Sequence, residues 1–210
     1  MQMRRVVAPA LSLLFSAAIV GGFIASANGS HQASPTSASQ IQAQVRNPLT
    51  PPALRGSIEY NEWLGRTFSD TMLNTRDNAL RRQIINQIVH PGYLQHNPLA
   101  PEGRDGLIGF IEFIYQAMPD SRFILRDVIA TQDRVVTRWT WTASLTGAPL
   151  FGIAPTGQKL EFDAIDIWTV RNGQLYEHWD QFDWPRALIQ LGVRGLPQAF
   201  IDVANQPVDR

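Results

Sequence analysis

The feature that most constrains this chain is a pair of strand-like runs near its C-terminal end, joined at Asn172-Gly173. Residues 160–170 and 175–183 alternate large apolar residues with polar ones, which is typical of β-strands, and Asn-Gly is a favoured hairpin turn. A purely structural hairpin would rarely contain many titratable groups among its aromatic residues, so we expect the chemistry of this protein here. The groups concerned are Asp163, Asp166, His178, Asp180 and Asp183.

Two registers of this hairpin would bring different aspartates together. A two-residue turn pairs Arg171 with Gln174. The face that carries His178 then contains Asp163 and not Asp166. Register follows both the turn type and the hydrophobic pattern, so the turn alone does not settle which aspartate belongs to the site.

A three-residue loop with a bulge at Gly173 gives the other register and pairs Val170 with Gln174. Asp166 then lies opposite His178. We prefer this register because it separates a face of aromatic and acidic residues, which suits a pocket, from a face of Ile and Trp, which suits packing. The pocket face would comprise Phe162, Ala164, Asp166, Trp168, Tyr176, His178, Asp180 and Phe182.

The rest of the domain is predicted to consist of helices followed by strands. Apolar residues recur at helical spacing over residues 57–89, with a break at 74–78, and again over 105–118, where Asp105 is a candidate N-cap. Residues 93–97 form a short extended piece, strands follow at 122–130 and 134–145, and a short helix follows at 185–191. This order predicts an α+β domain with three helices on one face of a curved antiparallel sheet.

The N-terminal region has the order of a secretory signal. Two arginines precede an uncharged apolar run that ends at Ala25-Ser26-Ala27, so residues 1–27 are predicted to be a signal peptide or, if uncleaved, a membrane anchor. Residues 28–53 are rich in Ser, Ala, Gln and Pro and are predicted to be a disordered linker. The folded domain is then expected at 54–195, with a C-terminal tail at 196–210, in an exported protein.

The composition excludes several functional classes. With 18 basic and 18 acidic residues and no basic run, the chain lacks the charge of a nucleic-acid-binding protein. It has no cysteine, so disulfides, thiolate metal sites and cysteine nucleophiles are excluded. No dinucleotide or nucleotide-binding loop and no histidine spacing typical of a metal site occurs, so we expect neither a cofactor nor a metal.

Asp180 is the first candidate for a catalytic group, because a carboxyl group surrounded by aromatic residues has a raised pKa and can act as a general base or acid near neutral pH. Asp166 and His178 would assist it. Tyr176, Phe182 and Trp168 would contribute to the surrounding pocket. His96 would line the pocket mouth or bond the local turn.

Several motifs together resemble the SnoaL-like polyketide cyclases of the nuclear transport factor 2-like superfamily. The resemblance covers residues 57–193 and rests on the segments 93–98, 155–157, 166–168, 172–173 and 177–180, which include Gln95-His96-Asn97-Pro98 and Glu177-His178-Trp179-Asp180.

The resemblance implies a cone-shaped α+β barrel with a deep pocket, usually in a dimer or higher oligomer. It also implies closure of a polyketide ring by intramolecular aldol condensation without a metal or cofactor, with the acid/base aspartate at Asp180. For this chain we expect aldol cyclisation, isomerisation or a related lyase step on a hydrophobic carbonyl compound, with Tyr93 among the substrate-binding residues. Where those cyclases have a pocket histidine, this chain has Asp166.

Two other functions remain open at the level of sequence. One is hydrolysis of an epoxide by paired carboxylates that activate water, with Arg138 as a helper. The other is a non-catalytic module of the cell envelope that holds a small apolar ligand in the same pocket.

Overall fold

The computed structural model describes residues 49–206, all of which belong to the unit Val45–Arg210. The helices are α1 (Ile58–Arg66), α2 (Asn78–Ile88), α3 (Gly103–Ala117), α4 (Trp184–Gln190) and α5 (Gln198–Ala204), and a π-helical segment (Thr67–Met72) continues α1. The strands are β1 (Val89–Gln95), β2 (Arg122–Ala130), β3 (Arg134–Ser144), β4 (Lys159–Arg171) and β5 (Gln174–Phe182).

The five strands form one curved, open sheet in the order β1-β5-β4-β3-β2. The four long strands are antiparallel neighbours, as predicted, whereas β1 pairs with β5 in parallel. The predicted α+β fold of the nuclear transport factor 2-like type is therefore confirmed. Nearly every second residue of β4 is buried, which defines an inner face toward the helices and an outer face away from them.

The inner face packs against α1, α2 and α3, whose apolar stripes supply the rest of the core. Leu64 of α1, Ile84 of α2 and Ile111 of α3 are all buried. Gly65 lets α1 approach the sheet closely, since a Cβ atom there would lie 2.6 Å from a methyl carbon of Val135. The core therefore lies between one face of the sheet and these helices, as the sequence predicts.

The predicted cap of the third helix is wrong. The helix begins at Gly103, with Glu102 before it, so Asp105 lies in its first turn. There Asp105 forms an ion pair with Arg82, with 2.6 Å between the carboxylate oxygen and the guanidinium nitrogen. An acidic residue in the first turn also interacts favourably with the helix dipole. Acidic residues are therefore common both at the N-cap and just after it, which explains why the predicted start of this helix is a few residues too late.

The preferred three-residue loop of the β4–β5 hairpin is also wrong. Arg171 pairs with Gln174, and Asn172 and Gly173 form a two-residue turn with φ of 52° and 67°. Both values lie in the left-handed region, which Asn and Gly adopt most readily and which matches the twist of the strands. The turn is therefore the alternative that the sequence left open.

A bulge next to this turn nevertheless restores the expected face. Val170 pairs with Leu175 but Thr169 pairs with Glu177, so Tyr176 is an extra residue on β5. From there the register is shifted by one residue. The bulge consequently places His178 and Asp180 on the inner face that also carries Asp166, as predicted for the other loop.

The pairs beyond the bulge differ from both predicted registers. Asp166 lies opposite Asp180, and Trp168 lies opposite His178. Asp163 is exposed on the outer face, where its carboxylate accepts a hydrogen bond of 2.7 Å from the Thr140 hydroxyl. The two-residue turn therefore does not bring Asp163 into the site.

The ends of the chain add two observations. Helix α5 lies within the predicted C-terminal tail, residues 196–210. Among the helices of residues 49–206, none combines the length and the apolar character that crossing a bilayer requires. The predicted signal segment 1–27 and most of the predicted linker 28–53 lie outside the described residues, so they stay predictions.

Candidate functional site

A cavity lies between α3 and the inner face of the sheet, with three polar side chains of the β4–β5 hairpin on one wall. The centre of a water-sized molecule can occupy about 40 Å³ of this cavity. Apolar cavities with few convergent polar groups are typical ligand sites. The lining consists of Phe68, Leu73, Gln95, Leu107, Phe110, Ile111, Ile114, Phe123, Trp139, Trp141, Asp166, His178, Asp180 and Phe182.

Asp166 is held by donors from the neighbouring strand. Its Oδ2 accepts a hydrogen bond of 2.7 Å from the Trp139 indole and one of 3.1 Å from the Thr137 hydroxyl. Thr137 in turn accepts one of 3.1 Å from the Ser69 hydroxyl. Such a buried carboxylate, 1% exposed, needs these partners to offset its lost hydration. Asp166 is therefore fixed in place rather than free to react.

His178 connects Asp166 to Tyr93. Its Nε2 lies 3.3 Å from Asp166 Oδ1, and its Nδ1 lies 3.1 Å from the Tyr93 hydroxyl. Burial, followed by the nearby carboxylates, raises the pKa of Tyr93, so its hydroxyl stays a neutral donor. Each ring nitrogen of His178 therefore has one protein partner, and the tautomer decides which group donates at each contact.

The imidazole plane is also fixed by an aromatic neighbour. Trp168 stacks on His178 with ring centroids 3.8 Å apart and an angle of 11° between the planes. Phe68 packs edge-on against Trp168 at 4.6 Å and comes from the π-helical segment. Such segments frequently occur at functional sites, and this one also supplies Ser69.

Asp180 is the carboxyl group at this site that is least committed to protein partners. Its Oδ2 accepts a hydrogen bond of 2.9 Å from the Asn97 amide and lies 4.0 Å from His178 Nε2. Burial raises the pKa of Asp180 to about 6; His178 and Asn97 act in the opposite direction, and Asp166 raises it further. Asp180 can therefore exchange a proton with a ligand near neutral pH.

The structure brings six of the eight sequence-predicted residues to this site. Asp166, His178, Asp180 and Phe182 line the cavity, whereas Tyr93 and Trp168 lie behind His178. Those two fix the histidine instead of forming the cavity wall.

His96 and Tyr176 are not brought to the cavity. His96 stacks on Trp179 with centroids 4.7 Å apart, and its Nε2 lies 3.0 Å from Glu177 Oε1. Tyr176, the extra residue of the bulge, packs edge-on against His90 at 5.1 Å.

The hydrolytic alternative loses its helper residue. Arg138 lies on the exposed outer face, where one of its guanidinium nitrogens is 2.6 Å from Asp127. It points away from the cavity wall that carries Asp166 and Asp180, because residues that alternate along β3 lie on opposite faces.

Sequence reasoning missed two polar contacts of the site. Asn97 and Trp139 were not among the candidate site residues. The signal for Asn97 was its place directly after a short strand and before a proline, where buried side chains often bond loops. The signal for Trp139 was its position among the alternating residues of a predicted strand, since a buried indole usually finds an acceptor.

The three polar residues could also be considered as a metal site. One ligand atom from each of Asp166, His178 and Asp180 can be chosen so that all lie within 4.8 Å of one another. However, Asp166 already accepts from Trp139 and Thr137, and both imidazole nitrogens have protein partners. A cation would have to displace these hydrogen bonds, so the donor set fits a proton-transfer network better.

The fold and the site together define the class of this protein. It has the nuclear transport factor 2-like fold and a cavity that contains a histidine, His178, between two aspartates, Asp166 and Asp180. A family model for SnoaL-like polyketide cyclase matches residues 64–191, which is more than half of the chain. The chain therefore belongs to the SnoaL-like polyketide cyclase family, and this membership supports a cyclase- or isomerase-type role.

Solved structures agree with this assignment of the fold. The chain is similar to TsrD from Streptomyces laurentii, with 25% identity, a TM-score of 0.55 and coverage of 62% of this chain and 93% of that one. It is also similar to IdmH from Streptomyces antibioticus, with 23% identity, a TM-score of 0.53 and coverage of 63% and 99%. A SnoaL-like polyketide cyclase from Agrobacterium tumefaciens matches with 16% identity, a TM-score of 0.51 and coverage of 63% and 98%. No curated protein matches the sequence at a significant level.

Proposed function

We propose that this protein is a cofactor-independent enzyme in which Asp180 transfers a proton to and from the carbon next to a carbonyl group of a hydrophobic substrate. The observation that carries this proposal is a single one: a carboxyl group with a pKa of about 6 lies at the wall of an apolar cavity. A base of that strength is mostly ionised at pH 7 and still accepts a proton readily.

The proposed reaction begins when the Asp180 carboxylate removes a proton from the carbon next to the carbonyl. The electron pair of that C–H bond moves into an enolate, whose negative charge develops on the carbonyl oxygen. The indole N–H of Trp141 is buried, belongs to a residue of the cavity lining and has no partner among residues 49–206, so we assign it as the candidate donor to this oxygen.

The second step returns the proton from Asp180. In an aldol cyclisation the enolate carbon attacks a second carbonyl of the same molecule, and Asp180 protonates the new alkoxide. In the isomerisation of a β,γ-unsaturated ketone, removal of the α-proton gives a dienolate, and Asp180 protonates its γ-carbon, so that the double bond moves into conjugation with the carbonyl group. His178 and Asp166 act as positioning residues in both cases, because their hydrogen bonds fix the imidazole 4.0 Å from the Asp180 carboxylate.

Deuterium exchange tests this step without knowledge of the natural substrate. The protein is incubated in D₂O with 4-phenylbutan-2-one, and loss of the proton signals next to the carbonyl is followed by NMR. Asp180→Asn should slow the enzymatic exchange by about 10²-fold or more, which is typical for loss of a general base. Asp163→Asn, on the outer face of the same hairpin, is the matched control and should exchange at the wild-type rate.

The pH dependence of this exchange gives a second measurement. The base is active when ionised, so kcat/KM should rise as the pH increases through about 6 and reach a plateau above it. Equal exchange rates for wild type and Asp180→Asn would contradict the proposal. Binding of ketones without any enzymatic exchange would favour the non-catalytic binding module instead.

We also propose that the protein forms a homo-oligomer through the outer face of the sheet. Ile129, Val136, Ile167 and Trp179 lie directly opposite one another across β2, β3, β4 and β5. Ile129 is 64% exposed and Ile167 is 41% exposed, so this row is an apolar patch on the surface. Ile167→Arg should shift the molar mass measured by light scattering to that of a monomer, and an unchanged mass would exclude this face.

Export is proposed from the N-terminal sequence alone. Expression of the full chain in a bacterial host should yield a processed protein that begins near Asn28, as measured by intact mass. A mature protein that retains residues 1–27 would instead indicate an uncleaved anchor. Substitution of Ala25 and Ala27 by a large residue should block processing and serves as the control.

A further inference from the structure

A groove outside the cavity also reaches Asp180. It lies between the loop after β1, the end of β5 and helix α5. The centre of a water-sized molecule can occupy about 240 Å³ of this groove. Asp180 and Phe182 belong to both linings, so a ligand group at Asp180 is next to both the cavity and the groove. The groove is lined by Asn97, Pro98, Leu99, Asp180, Gln181, Phe182, Trp184, Phe200 and Val203.

Helix α5 forms one wall of this groove although none of its residues is fully buried. Phe200 holds it to the domain through edge-on contacts with Trp184 at 5.3 Å and with Phe151 at 5.6 Å. Val203 lies one turn further along the same side, whereas Ile201 is exposed. The helix lies beyond residues 64–191, which the family model matches, so it is a feature of this chain rather than of the matched region.

The sizes of the two spaces limit how a ligand can bind. The cavity has about 40 Å³ open to the centre of a water-sized molecule, which accommodates only a few such molecules. The groove offers about six times as much by the same measure. The groove therefore offers space for the part of a larger substrate that the cavity does not hold when the carbonyl group lies at Asp180.

We propose that this groove binds the apolar tail of an elongated carbonyl compound, and that Val203 and Phe200 of α5 determine the tail that the site accepts. The proposal rests on the proposed function for the position of the carbonyl group. The groove wall is mainly apolar, with Pro98, Leu99 and Trp184 facing the two α5 residues, which suits an aliphatic or aryl tail rather than a charged one.

Calorimetric titration with butan-2-one, heptan-2-one and undecan-2-one tests the proposal directly. Affinity for the wild-type protein should rise with chain length by up to about fourfold for each methylene that leaves water. Val203→Trp should fill the groove and reduce the affinity for undecan-2-one by about tenfold, while the affinity for butan-2-one stays unchanged. Ile201→Trp places the same bulk on the exposed side of the helix and should leave both affinities unchanged.

A second variant covers the case in which Val203→Trp displaces the helix instead of filling the groove. Leu99→Trp adds bulk from the opposite wall and should produce the same selective loss for undecan-2-one. Thermal unfolding followed by circular dichroism should show that all three variants fold. Equal effects of Val203→Trp and Ile201→Trp would overturn the proposal, as would an affinity that does not depend on chain length.

The outcomes also separate this proposal from the proposed function. Binding that depends on chain length without deuterium exchange would refute the enzymatic role while leaving the groove assignment intact. Deuterium exchange that requires Asp180, together with binding that is insensitive to chain length and to Val203→Trp, would refute the groove assignment. The enzymatic role would then remain supported. Failure of undecan-2-one to bind at all would refute the groove assignment.

Discussion

Replacing Asp180 by asparagine should stabilise the protein above pH 7, although it removes the proposed base. The pKa of this carboxyl group rises from its ordinary 3.8 to about 6, chiefly through burial. The folded state therefore binds the proton more tightly than the unfolded state does, and the ionised form in the folded state carries a free-energy cost. Asparagine resembles the neutral acid and can still accept the hydrogen bond from Asn97.

The size of the effect follows from this difference in pKa. A rise of about two units corresponds to about 3 kcal/mol, since one unit equals about 1.4 kcal/mol. The Asp180 side chain is only 8% exposed, so solvent screens this cost little. The cost is absent below pH 3.8, develops between pH 3.8 and 6, and is complete above pH 6. Asp180→Asn should therefore gain up to about 3 kcal/mol at pH 8 and little at pH 4.

Urea unfolding at both pH values measures this difference. The free energy of unfolding of wild type and variant should diverge as the pH rises, while the slope with urea concentration stays the same. Asp163→Asn is the control, because its carboxylate is exposed and should give no such divergence. A variant that is less stable than wild type at pH 8, or equally stabilised at both pH values, would refute the argument that burial of a charge dominates at this position.

Three further predictions concern the surroundings of this group. Trp139→Phe removes the indole hydrogen bond to Asp166 and should lower the free energy of unfolding by about 2 kcal/mol. Trp141→Phe should lower it less, because the Trp141 indole nitrogen has no partner within the described part of the chain, and equal losses in urea unfolding would contradict the role of the Trp139 bond. Tyr93→Phe leaves one nitrogen of His178 without its hydrogen-bond partner, so deuterium exchange should slow in an intact fold. An unchanged rate would show that this contact does not position the imidazole. Chelation by EDTA should leave the rate of deuterium exchange unchanged, because the three polar site residues already have protein partners. Loss of exchange that added zinc restores would show that the site requires a metal.

The order of elements was predictable because hydrophobic periodicity reports local structure directly. The strand Arg122–Ala130 has the predicted ends, and the break at residues 74–78 separates the π-helical segment from α2. The helix α5 was not predicted, because its residues fall in the segment 196–210 that was expected to be a C-terminal tail. Its position depends on Phe200 packing against aromatic residues far away in the sequence.

In the candidate site, too, some features were predictable from the sequence and others depended on tertiary packing. Asp166, His178 and Asp180 were predicted to share a face, and they do, but through a different turn and a bulge at Tyr176. The two deviations from the preferred register compensate, because each shifts the alternation by one residue. His96 was misplaced for a related reason: its direction depends on the parallel pairing of β1 with β5, which no local pattern reveals.

The sequence by itself determined the fold class, the hairpin that carries the chemistry and the residue types that the site needs, since these follow from alternation, turn chemistry and composition. Only the tertiary structure decided which groups are partners: that Trp139 holds Asp166, that Asn97 reaches Asp180, and that a groove beside α5 opens on the same carboxylate. Hydrogen bonds and cavities join residues that are distant along the chain. Their geometry is therefore set by the packing of whole elements and not by the local sequence.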